Sequence, residues 1–274
     1  MKWITFSRKM GTNGSEVAKR VASELGYRLY DTKAINHMAQ ELGFLESVRE
    51  VDDKAPPIFQ RIFSQRPRVD LERLYSVIYE LAKQGDAVFL GRGSHILLRD
   101  FPCALHVRVT ASLEKCIHTL MDQGLNREAA ARAIKRGDDE RSAFVKFAFG
   151  VDWEDPERYD LVLNMDKLSV NLAVSTVLHM ARSPEISEAS VDAIRSLETM
   201  ALASRAEAAL IAATFEHRFV PSLSVSVVEP GKVRVSGNVE TEGRKAEAER
   251  VLRSVKGVKS VENAIVVIPV QGAV

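Results

Sequence analysis

The sequence predicts an α/β protein: a parallel sheet with helices on both faces, followed by a small α+β domain of αββαβ order. Three observations favour this fold class. Apolar strands and amphipathic helices alternate through residues 1–182. One strand, residues 87–90, is apolar throughout, which is typical of a strand buried on both faces. Beyond residue 180 a long helix is followed by a hairpin, a helix and a third strand.

The first strand runs into a glycine-containing turn and then directly into a helix. Residues 4–18 read Ile-Thr-Phe-Ser-Arg-Lys-Met-Gly-Thr-Asn-Gly-Ser-Glu-Val-Ala. Such a turn directs backbone N–H groups and the positive end of a helix dipole at one place, where phosphate commonly binds. The phosphate-loop pattern G-x-x-x-x-G-K-[ST] is incomplete, because Gly14 stands at the lysine position. A glycine turn without a phosphate role is therefore an equal alternative on this segment alone.

Apolar periodicity and the positions of glycine and proline predict the other elements of the first part. Residues 43–68 are predicted to be irregular, because Pro56, Pro57 and Pro67 disfavour a long helix. Ser112 is a candidate N-cap for the helix that follows the next-to-last strand. The remaining predictions are helices over 16–25, 33–42, 69–83, 126–135 and 170–180, and strands over 27–31, 105–109 and 159–164.

Polar and glycine-rich segments follow several of these strands. Residues 7–14, residues 91–93 and Asn164 each lie where a predicted strand ends. Ligands of open parallel sheets bind at the carboxyl ends of the strands. This convergence favours the phosphate interpretation of the first loop over a plain glycine turn.

Composition and charge restrict the partners and the cellular compartment that are expected for the protein. A formal net charge of +1 gives no reason to expect a nucleic-acid partner or general binding to membrane surfaces. No apolar run approaches the roughly 20 residues of a spanning helix, so membrane insertion is not expected. The N-terminus lacks the long apolar region of a signal peptide, and Cys103 and Cys116 are expected to be buried thiols of a cytoplasmic protein. The six histidines lack metal-ligand spacing, so no structural metal is expected.

Short motifs occur in a fixed order along residues 1–182. After the loop segment they are Leu25-Gly26-Tyr27, Tyr30-Asp31, Gly91-Arg92-Gly93, Asp138-Asp139-Glu140-Arg141, Asp152-Trp153-x-Asp155-Pro156 and Tyr159-Asp160-Leu161-Val162-Leu163-Asn164. Together they resemble the cytidylate kinase-like family, a branch of the P-loop nucleoside monophosphate kinases. The resemblance implies transfer of a phosphoryl group from ATP, with Mg²⁺, to a cytidylate-like nucleoside monophosphate or a related small acceptor.

Within this resemblance the first loop forms the phosphate site. The predicted phosphate cradle consists of the backbone amides of Gly11, Thr12, Asn13, Gly14 and Ser15. Arg8 and Lys9 are the nearest cations to replace the missing lysine, and Arg8 is preferred because its planar guanidinium suits phosphate. Ser15 and Glu16 are the candidate Mg²⁺ ligands. For Glu16, ordinary stabilisation of the first helical turn is an equally good interpretation.

Two further residues are predicted to meet the acceptor. Arg92 follows a buried strand, where a charged side chain requires a partner. The resemblance makes that partner the acceptor phosphate, and a structural ion pair is the alternative. The family's usual aspartate after Gly-Arg is Gly93 here, which argues against cytidine selectivity of the usual kind. Asp31 is predicted either to contact the nucleoside or, as the sequence alone favours, to cap the helix that follows it.

A basic run over residues 132–141 is predicted to lie between two helices. In nucleoside monophosphate kinases the matching stretch is a lid whose arginines close on the phosphates. The resemblance therefore implies catalytic roles for Arg136 and Arg141, whereas a solvated helix face is the stronger interpretation for Arg132 and Lys135. The aromatic residues that follow are interpreted as lid core or as a contact within a homo-oligomer; they are Phe144, Phe147, Phe149 and Trp153.

The last part of the chain resembles a BON domain. After a linker, residues 183–191, this domain is predicted over residues 192–270, with a first helix over 191–217. The matching residues are Val233-x-Val235-Ser236-Gly237-x-Val239 and Val255-x-Gly257-Val258-x-x-Val261-x-Asn263. No acid/base pair occurs there, so binding or regulation is expected, with a small ligand or a membrane surface as the partners that the resemblance implies. Alternatively, the long helix packs on the first sheet or on another subunit.

Two functions stay open at this point. The first is an active kinase for a cytidylate-like nucleotide, which the retained arginines favour. The second is a nucleotide-binding regulatory protein without turnover, in which the BON-like domain is the sensor or output. The missing lysine favours this second function.

Overall fold

The computed structural model describes residues 1–43, 66–214 and 223–268. The chain divides into two compact units, each built from two stretches of sequence. The first unit comprises Met1–His37 and Gln84–Ala193, and the second comprises Met38–Lys83 and Ile194–Val274. The segment predicted to be irregular lies outside the described residues except at its two ends.

The first unit contains a five-stranded parallel sheet. Its order is β2-β3-β1-β4-β5, and every neighbouring pair is parallel. The strands are β1 (Trp3–Arg8), β2 (Arg28–Tyr30), β3 (Ala87–Leu90), β4 (Ala104–Thr110) and β5 (Leu161–Asn164). The predicted parallel α/β sheet is therefore confirmed, and the carboxyl ends of all five strands lie at one edge.

Helices of varied length connect and follow these strands. In chain order they are α1 (Gly14–Leu25), α2 (Thr32–Glu41), α3 (Arg66–Ala82), α4 (Ser94–Leu97), α5 (Leu113–Asp122), α6 (Arg127–Phe149), α7 (Val170–Arg182), α8 (Val191–Thr214) and α9 (Glu242–Arg253). A 3₁₀ turn covers Pro156–Arg158. Among the described residues, no helix combines the length and the apolar character needed to cross a bilayer.

The core of the first unit lies on the parallel sheet. Apolar side chains of β1, β3 and β4 pack with one stripe each from α1 and α7. The α1 stripe includes Val17 and Val21, and the α7 stripe includes Val174 and Val177. A second cluster joins α5 and α6 through Cys116, Ile117, Leu120, Ala130 and Ile134. Ser112 caps α5 as predicted, because its side chain accepts a hydrogen bond from the Lys115 amide.

Two predicted helix limits are wrong for identifiable reasons. The helix predicted over 126–135 does not end at residue 135 but continues as α6 to Phe149, through Gly137, so the basic run lies within one helix and not between two. Ion pairs four residues apart support this exposed stretch, between Arg132 and Glu128 and between Arg136 and Glu140. Helix α3 begins at Arg66, so Pro67 lies in its first turn, where a proline removes no intrahelical hydrogen bond.

The second unit contains a three-stranded mixed sheet. It is formed by β6 (Ser224–Glu229), β7 (Lys232–Val239) and β8 (Ser260–Val267), in the order β6-β7-β8. β6 and β7 form the predicted antiparallel hairpin, and β8 runs parallel to β7. The alternating residues of β7 pack with Leu252 of α9 and with one face of α8. The buried members of this core are Leu202, Ala206, Leu210, Val233, Val235, Val239, Ala248, Leu252 and Ile265.

Helix α8 also packs against α3 within this second unit. Ala208 and Ile211 of α8 bury apolar surface with Val69 of α3. The Arg205 guanidinium lies 2.6 Å from a Glu80 carboxylate oxygen, and both side chains are largely buried. Thus α8 has two partners in this unit, the small sheet and α3. The helix follows its prediction as far as residue 214, and the predicted residues 215–217 lie outside the described residues.

We expect a fragment of residues 192–270 to fold alone. As far as the structure describes it, the core between α8, α9 and the small sheet is formed by residues 202–267, so the fragment retains these residues. Circular dichroism should show a cooperative thermal transition. Leu252→Ala should destabilise the fragment by about 2–5 kcal/mol, because a fully buried leucine leaves a cavity. A fragment without a cooperative transition would show that α3 is required.

Candidate phosphate-binding site

The turn between β1 and α1 has an unusual backbone conformation. Gly11 has φ +79° and Asn13, at the N-cap of α1, has φ +56°. Both values lie in the left-handed region, which glycine adopts freely and asparagine more readily than most residues. The Asn13 side chain makes no capping hydrogen bond. The first turn of α1 therefore has no cap from the Asn13 side chain; its Glu16 and Val17 amides donate instead to the Asn13 carbonyl, at 3.0 and 3.1 Å.

Most amides of this turn have no acceptor among the described residues. The Met10 amide donates to Asp138 Oδ1 at 2.9 Å, and the Gly14 amide donates to Thr12 Oγ1 at 3.3 Å. Within the described part of the chain, no acceptor is bonded to the amides listed here: Gly11, Thr12, Asn13 and Ser15. Buried or half-buried amides without partners bind water or an anion. The four donors include most of the predicted phosphate cradle.

Both loop glycines are required by close packing. A Cβ atom on Gly11 would lie 2.7 Å from the Cys116 carbonyl oxygen of α5. A Cβ atom on Gly14 would lie 2.7 Å from Arg8 Cβ and 3.0 Å from Val109 Cβ. The loop therefore lies directly on β4 and α5, which fixes the direction of its amides.

A cavity of about 270 Å³ opens at this loop. It is lined by the whole loop, residues 8–16, and by Leu120, Gln123 and Arg141. The structure thus brings Arg8, the five cradle residues, Glu16 and Arg141 to one cavity.

Arg8 crosses the strand ends beside the cavity. Its Nε donates to Ser15 Oγ at 3.2 Å, and its guanidinium reaches the turn after β3, where a Cβ on Gly91 would lie 3.0 Å from Nη1. The Ser15 hydroxyl oxygen therefore accepts a hydrogen bond from a cation in this structure. Glu16 is exposed and lines the cavity, so its carboxylate is the more accessible of the two candidate Mg²⁺ ligands.

The arginines of the basic run differ in position. Arg141 lines the cavity, and its Nη1 lies 3.0 Å from Asp138 Oδ1, the same oxygen that accepts the Met10 amide. Arg136 lies on the solvent face of α6, 79% exposed and 3.9 Å from Glu140. The structure therefore does not bring Arg136 to the cavity lining.

The predicted acceptor residues lie after β3 and β2. Arg92 has φ +59° between Gly91 at +82° and Gly93 at +70°, so three successive residues are left-handed. A Cβ on Gly93 would lie 2.2 Å from a ring carbon of Phe149. The Phe149 ring thus occupies the place of a side chain at residue 93, which explains why glycine replaces the aspartate of the family pattern. Asp31 caps α2, because its Oδ1 accepts hydrogen bonds from two amides, those of Lys33 and Ala34.

Lys9 is held by a carboxylate that the sequence did not indicate. Its Nζ lies 2.7 Å from Glu154 Oε1, and the same oxygen lies 3.2 Å from Arg108 Nη2. Arg108 projects from β4 and is almost fully buried, with its guanidinium 4.5 Å above the Trp153 ring. Its Nη1 also donates to the Trp153 carbonyl at 2.6 Å.

A buried hydroxyl joins three segments behind the loop. Tyr159 Oη donates to the Trp153 carbonyl at 2.7 Å and lies 3.2 Å from Ser7 Oγ and 3.3 Å from His95 Nε2. The His95 and Tyr159 rings stack with centroids 4.9 Å apart. This network connects the end of β1, the helix after the Arg92 turn and the segment that carries Glu154.

Burial first, and then the electrostatic effects of His106, Arg108 and Arg158, lower the pKa of His95 to about 3. His95 is therefore neutral at neutral pH and can accept or donate only one hydrogen bond at each ring nitrogen. It serves the network as a neutral polar group.

Sequence reasoning missed Asp138, Glu154, Arg108 and the Tyr159 network. One signal was present in the sequence: Arg108 lies between two valines of a central strand, where a charge requires partners. Nothing in the local pattern shows that its partner is Glu154, because that contact spans 46 residues.

Gly14→Ala should distort the loop, because the new methyl group would lie closer to Arg8 Cβ than atoms normally approach. We expect a loss of about 1–3 kcal/mol of stability from overpacking and the loss of ATP-induced thermal stabilisation. Gly243→Ala is the control, since its Cβ would meet nothing nearer than 3.8 Å. Full ATP-induced stabilisation of Gly14→Ala would contradict this role of the loop.

His95 should make the first unit sensitive to acid. Its folded pKa lies below the unfolded value of 6.5, so its stabilising contribution is present above pH 6.5 and is lost as the pH falls towards about 3. Between pH 7.5 and pH 5, His95→Gln should lose about 2 kcal/mol less unfolding free energy than the unsubstituted chain. Tryptophan fluorescence during urea unfolding reports on this unit, since Trp3 and Trp153 are the two tryptophans of the chain. Equal losses would exclude His95 as the cause.

Comparison with known proteins places this geometry in a family. The model of the cytidylate kinase-like family matches residues 3–167, and that of the BON domain matches residues 201–269. Both resemblances noted in the sequence are thereby confirmed. The chain is 25% identical over 182 residues to the cytidylate kinase of Ignicoccus hospitalis, covering 66% of this chain and 99% of that protein. It is 26% identical over 175 residues to the cytidylate kinase of Pyrobaculum aerophilum, covering 62% of this chain and 88% of that protein.

A solved structure supports the fold independently. An uncharacterized protein from Eubacterium ventriosum superposes with a TM-score of 0.52 at 18% identity, covering 66% of this chain and 97% of that chain. At this identity the likeness shows the fold alone. The family match spans more than half of the sequence and includes the phosphate loop, the Arg92 turn and α6. With a BON domain after it, the chain belongs to the cytidylate kinase-like family.

Proposed function

We propose that this chain binds ATP through the loop of residues 8–15 and transfers the terminal phosphoryl group to a cytidylate-like nucleoside monophosphate. The observation that carries the proposal is the loop itself. Four amides that have no acceptor in the part of the chain that the structure describes line a cavity that Arg8 and Arg141 also line. Family membership makes a nucleotide the ligand that this arrangement suits best.

The arrangement supplies what phosphoryl transfer requires. The reaction needs little covalent chemistry from protein, but it needs an anion cradle and positive charge around the migrating group. Backbone amides and the N-terminus of α1 provide the cradle. Arginine can contact two phosphate oxygens at once, so Arg8 and Arg141 are proposed to replace the charge of the lysine that the loop lacks.

Mg²⁺ would arrive with ATP, and its usual contribution is to neutralise charge on the phosphates. Glu16 fits a metal contact because it is exposed at the cavity. Ser15 fits only after Arg8 releases its hydroxyl, because Arg8 Nε donates to that oxygen. A phosphate oxygen is the better acceptor for Arg8, so ATP itself would release Ser15.

The turn of residues 91–93 is proposed as the acceptor side of the site. Its left-handed backbone follows β3, the strand next to β1 in the sheet. Arg8 lies against Gly91, so the two turns are adjacent. Arg92 is proposed to bind the acceptor phosphate. Gly93 offers no side chain to the base, so the acceptors proposed are pyrimidine nucleoside monophosphates and related small acceptors.

One observation favours a regulatory protein that binds nucleotide without turnover. Two cations of the cavity lining are already paired with carboxylates, Lys9 with Glu154 and Arg141 with Asp138. In this second function the BON domain is the sensor or output. A panel of nucleoside monophosphates with ATP and Mg²⁺ separates the two functions when both transfer and thermal shift are measured. Shift without transfer selects the regulator, and absence of both selects a structural scaffold.

Arg8 and Arg92 should affect different steps. Arg8→Ala should lower kcat about 10- to 100-fold with a smaller change in KM for ATP, because its proposed contact with phosphate strengthens in the transition state. Arg92→Ala should instead raise KM for the acceptor by about 10-fold and leave ATP affinity unchanged. Steady-state kinetics with both substrates varied gives these constants.

Arg132→Ala is the control for both variants, because Arg132 is exposed on α6 and pairs with Glu128. Equal small effects of all three substitutions on kcat and KM would contradict the assigned roles.

A further inference from the structure

We infer that the ion pair between Lys9 and Glu154 is an exchangeable contact of the phosphate site. Lys9 releases Glu154 and binds a phosphate group when the loop is filled, and Arg108 then holds the released carboxylate. Glu154 is thus a positioning residue for Lys9. The inference rests on the proposed function only in that the loop binds a phosphate chain; it requires neither a nucleoside nor transfer.

The starting contact is short but accessible to solvent. Lys9 Nζ lies 2.7 Å from Glu154 Oε1, and the two side chains are 30% and 50% exposed. Lys9 also lines the cavity of the phosphate loop. An ion pair this exposed contributes little to stability, so its opening costs little.

Only the side chain of Lys9 needs to move. Its amide donates to the Val109 carbonyl at 3.1 Å, and its carbonyl accepts from Thr12 Oγ1 at 2.8 Å. These bonds fix the backbone of Lys9 to β4 on one side and to the loop on the other. The flexible four-carbon stem then carries the ammonium between Glu154 and the cavity.

Arg108 makes the exchange possible without leaving a charge unpaired. Its Nη2 lies 3.2 Å from the same oxygen, Glu154 Oε1, that binds Lys9. The guanidinium cannot follow Lys9, because it is buried, stacked on Trp153 and bonded to the Trp153 carbonyl. A buried guanidinium needs a counter-charge, so it retains Glu154 after Lys9 leaves.

The arrangement therefore holds two cations against one carboxylate oxygen. The local excess of positive charge favours an incoming anion over a second carboxylate. A phosphate chain carries several negative charges and outcompetes Glu154 for the mobile cation, while the fixed cation stays with Glu154. The loop thereby obtains a lysine for phosphate although Gly14 stands at the usual lysine position.

The test is a double-mutant cycle on the full chain, with inorganic triphosphate as the probe and isothermal titration calorimetry as the measurement. Lys9→Met should weaken triphosphate binding about 10-fold, and Glu154→Gln should strengthen it about 3-fold by removing the competing charge. In the Lys9→Met background, Glu154→Gln should change the affinity by less than about 2-fold, because no exchangeable lysine remains.

Glu128→Gln is the matched control, since it removes the same charge from an exposed position of the first unit where Glu128 pairs with Arg132. The inference is overturned if Lys9→Met binds triphosphate as the unsubstituted chain does, if Glu154→Gln strengthens binding equally with and without Lys9, or if Glu128→Gln has the same effect. Absence of triphosphate binding by the unsubstituted chain also overturns it.

Two further features keep the experiment decisive. The amide oxygen introduced by Glu154→Gln can still accept a hydrogen bond from Arg108, and thermal unfolding checks that the fold is retained. Should Glu154→Gln fail to fold, Lys9→Met alone tests the claim, because it leaves Glu154 paired with Arg108. A positive cycle without phosphoryl transfer to any monophosphate refutes the proposed function and leaves the exchange supported.

Discussion

The contact of the first loop with β4 and α5 determines what the rest of the site can do. Gly11 lies against the Cys116 backbone and Gly14 against Val109, with no room for a side chain at either position. This packing fixes the chain between β1 and α1 in a conformation that its own side chains do not cap. The amides therefore need an external acceptor, and α1 adds its dipole to the same place. The cavity, the cations and the proposed chemistry all depend on that alignment.

The source of positive charge distinguishes this loop from a standard phosphate loop. A standard phosphate loop carries its lysine at the helix start, whereas here the position is Gly14, which packing against Arg8 requires. Positive charge comes instead from Arg8, Lys9 and Arg141, which approach from the strand end and from α6. Two of these cations are paired with carboxylates that belong to α6 and to the segment before β5. Part of the positive charge at the site is thus balanced by carboxylates of the chain itself.

The sequence predicted those parts of the molecule that depend on local pattern. The alternation of apolar strands with helices predicted the parallel sheet, and the order of elements after residue 180 predicted the hairpin of β6 and β7. The glycine turn at Gly11–Gly14 predicted the loop. The continuous α6 was missed because Gly137 and the acidic cluster suggest a break, while its exposed ion pairs become visible only in three dimensions. Sequence pattern could not predict contacts between residues that are far apart in the chain, such as Glu154 with Arg108 and Phe149 with Gly93.

The grouping of α3 with α8 is another result of tertiary packing. By sequence order α3 belongs between two strands of the parallel sheet, yet it packs with the helix that leads into the BON domain. The ion pair of Glu80 with Arg205 and the contact of Val69 with Ile211 tie these helices together. The apolar periodicity of either helix alone does not indicate which helix it packs against.

Backbone NMR of the full chain with ATP and Mg²⁺ tests most directly whether the loop binds phosphate. The amides in question belong to Gly11, Thr12, Asn13 and Ser15, which have no acceptor among the described residues. Hydrogen bonds from these amides to phosphate oxygens should shift their proton resonances downfield and slow their exchange with solvent, whereas the bonded amide of Lys9 should change little. Unchanged loop amides, with ATP-induced shifts confined to another part of the chain, would contradict this account.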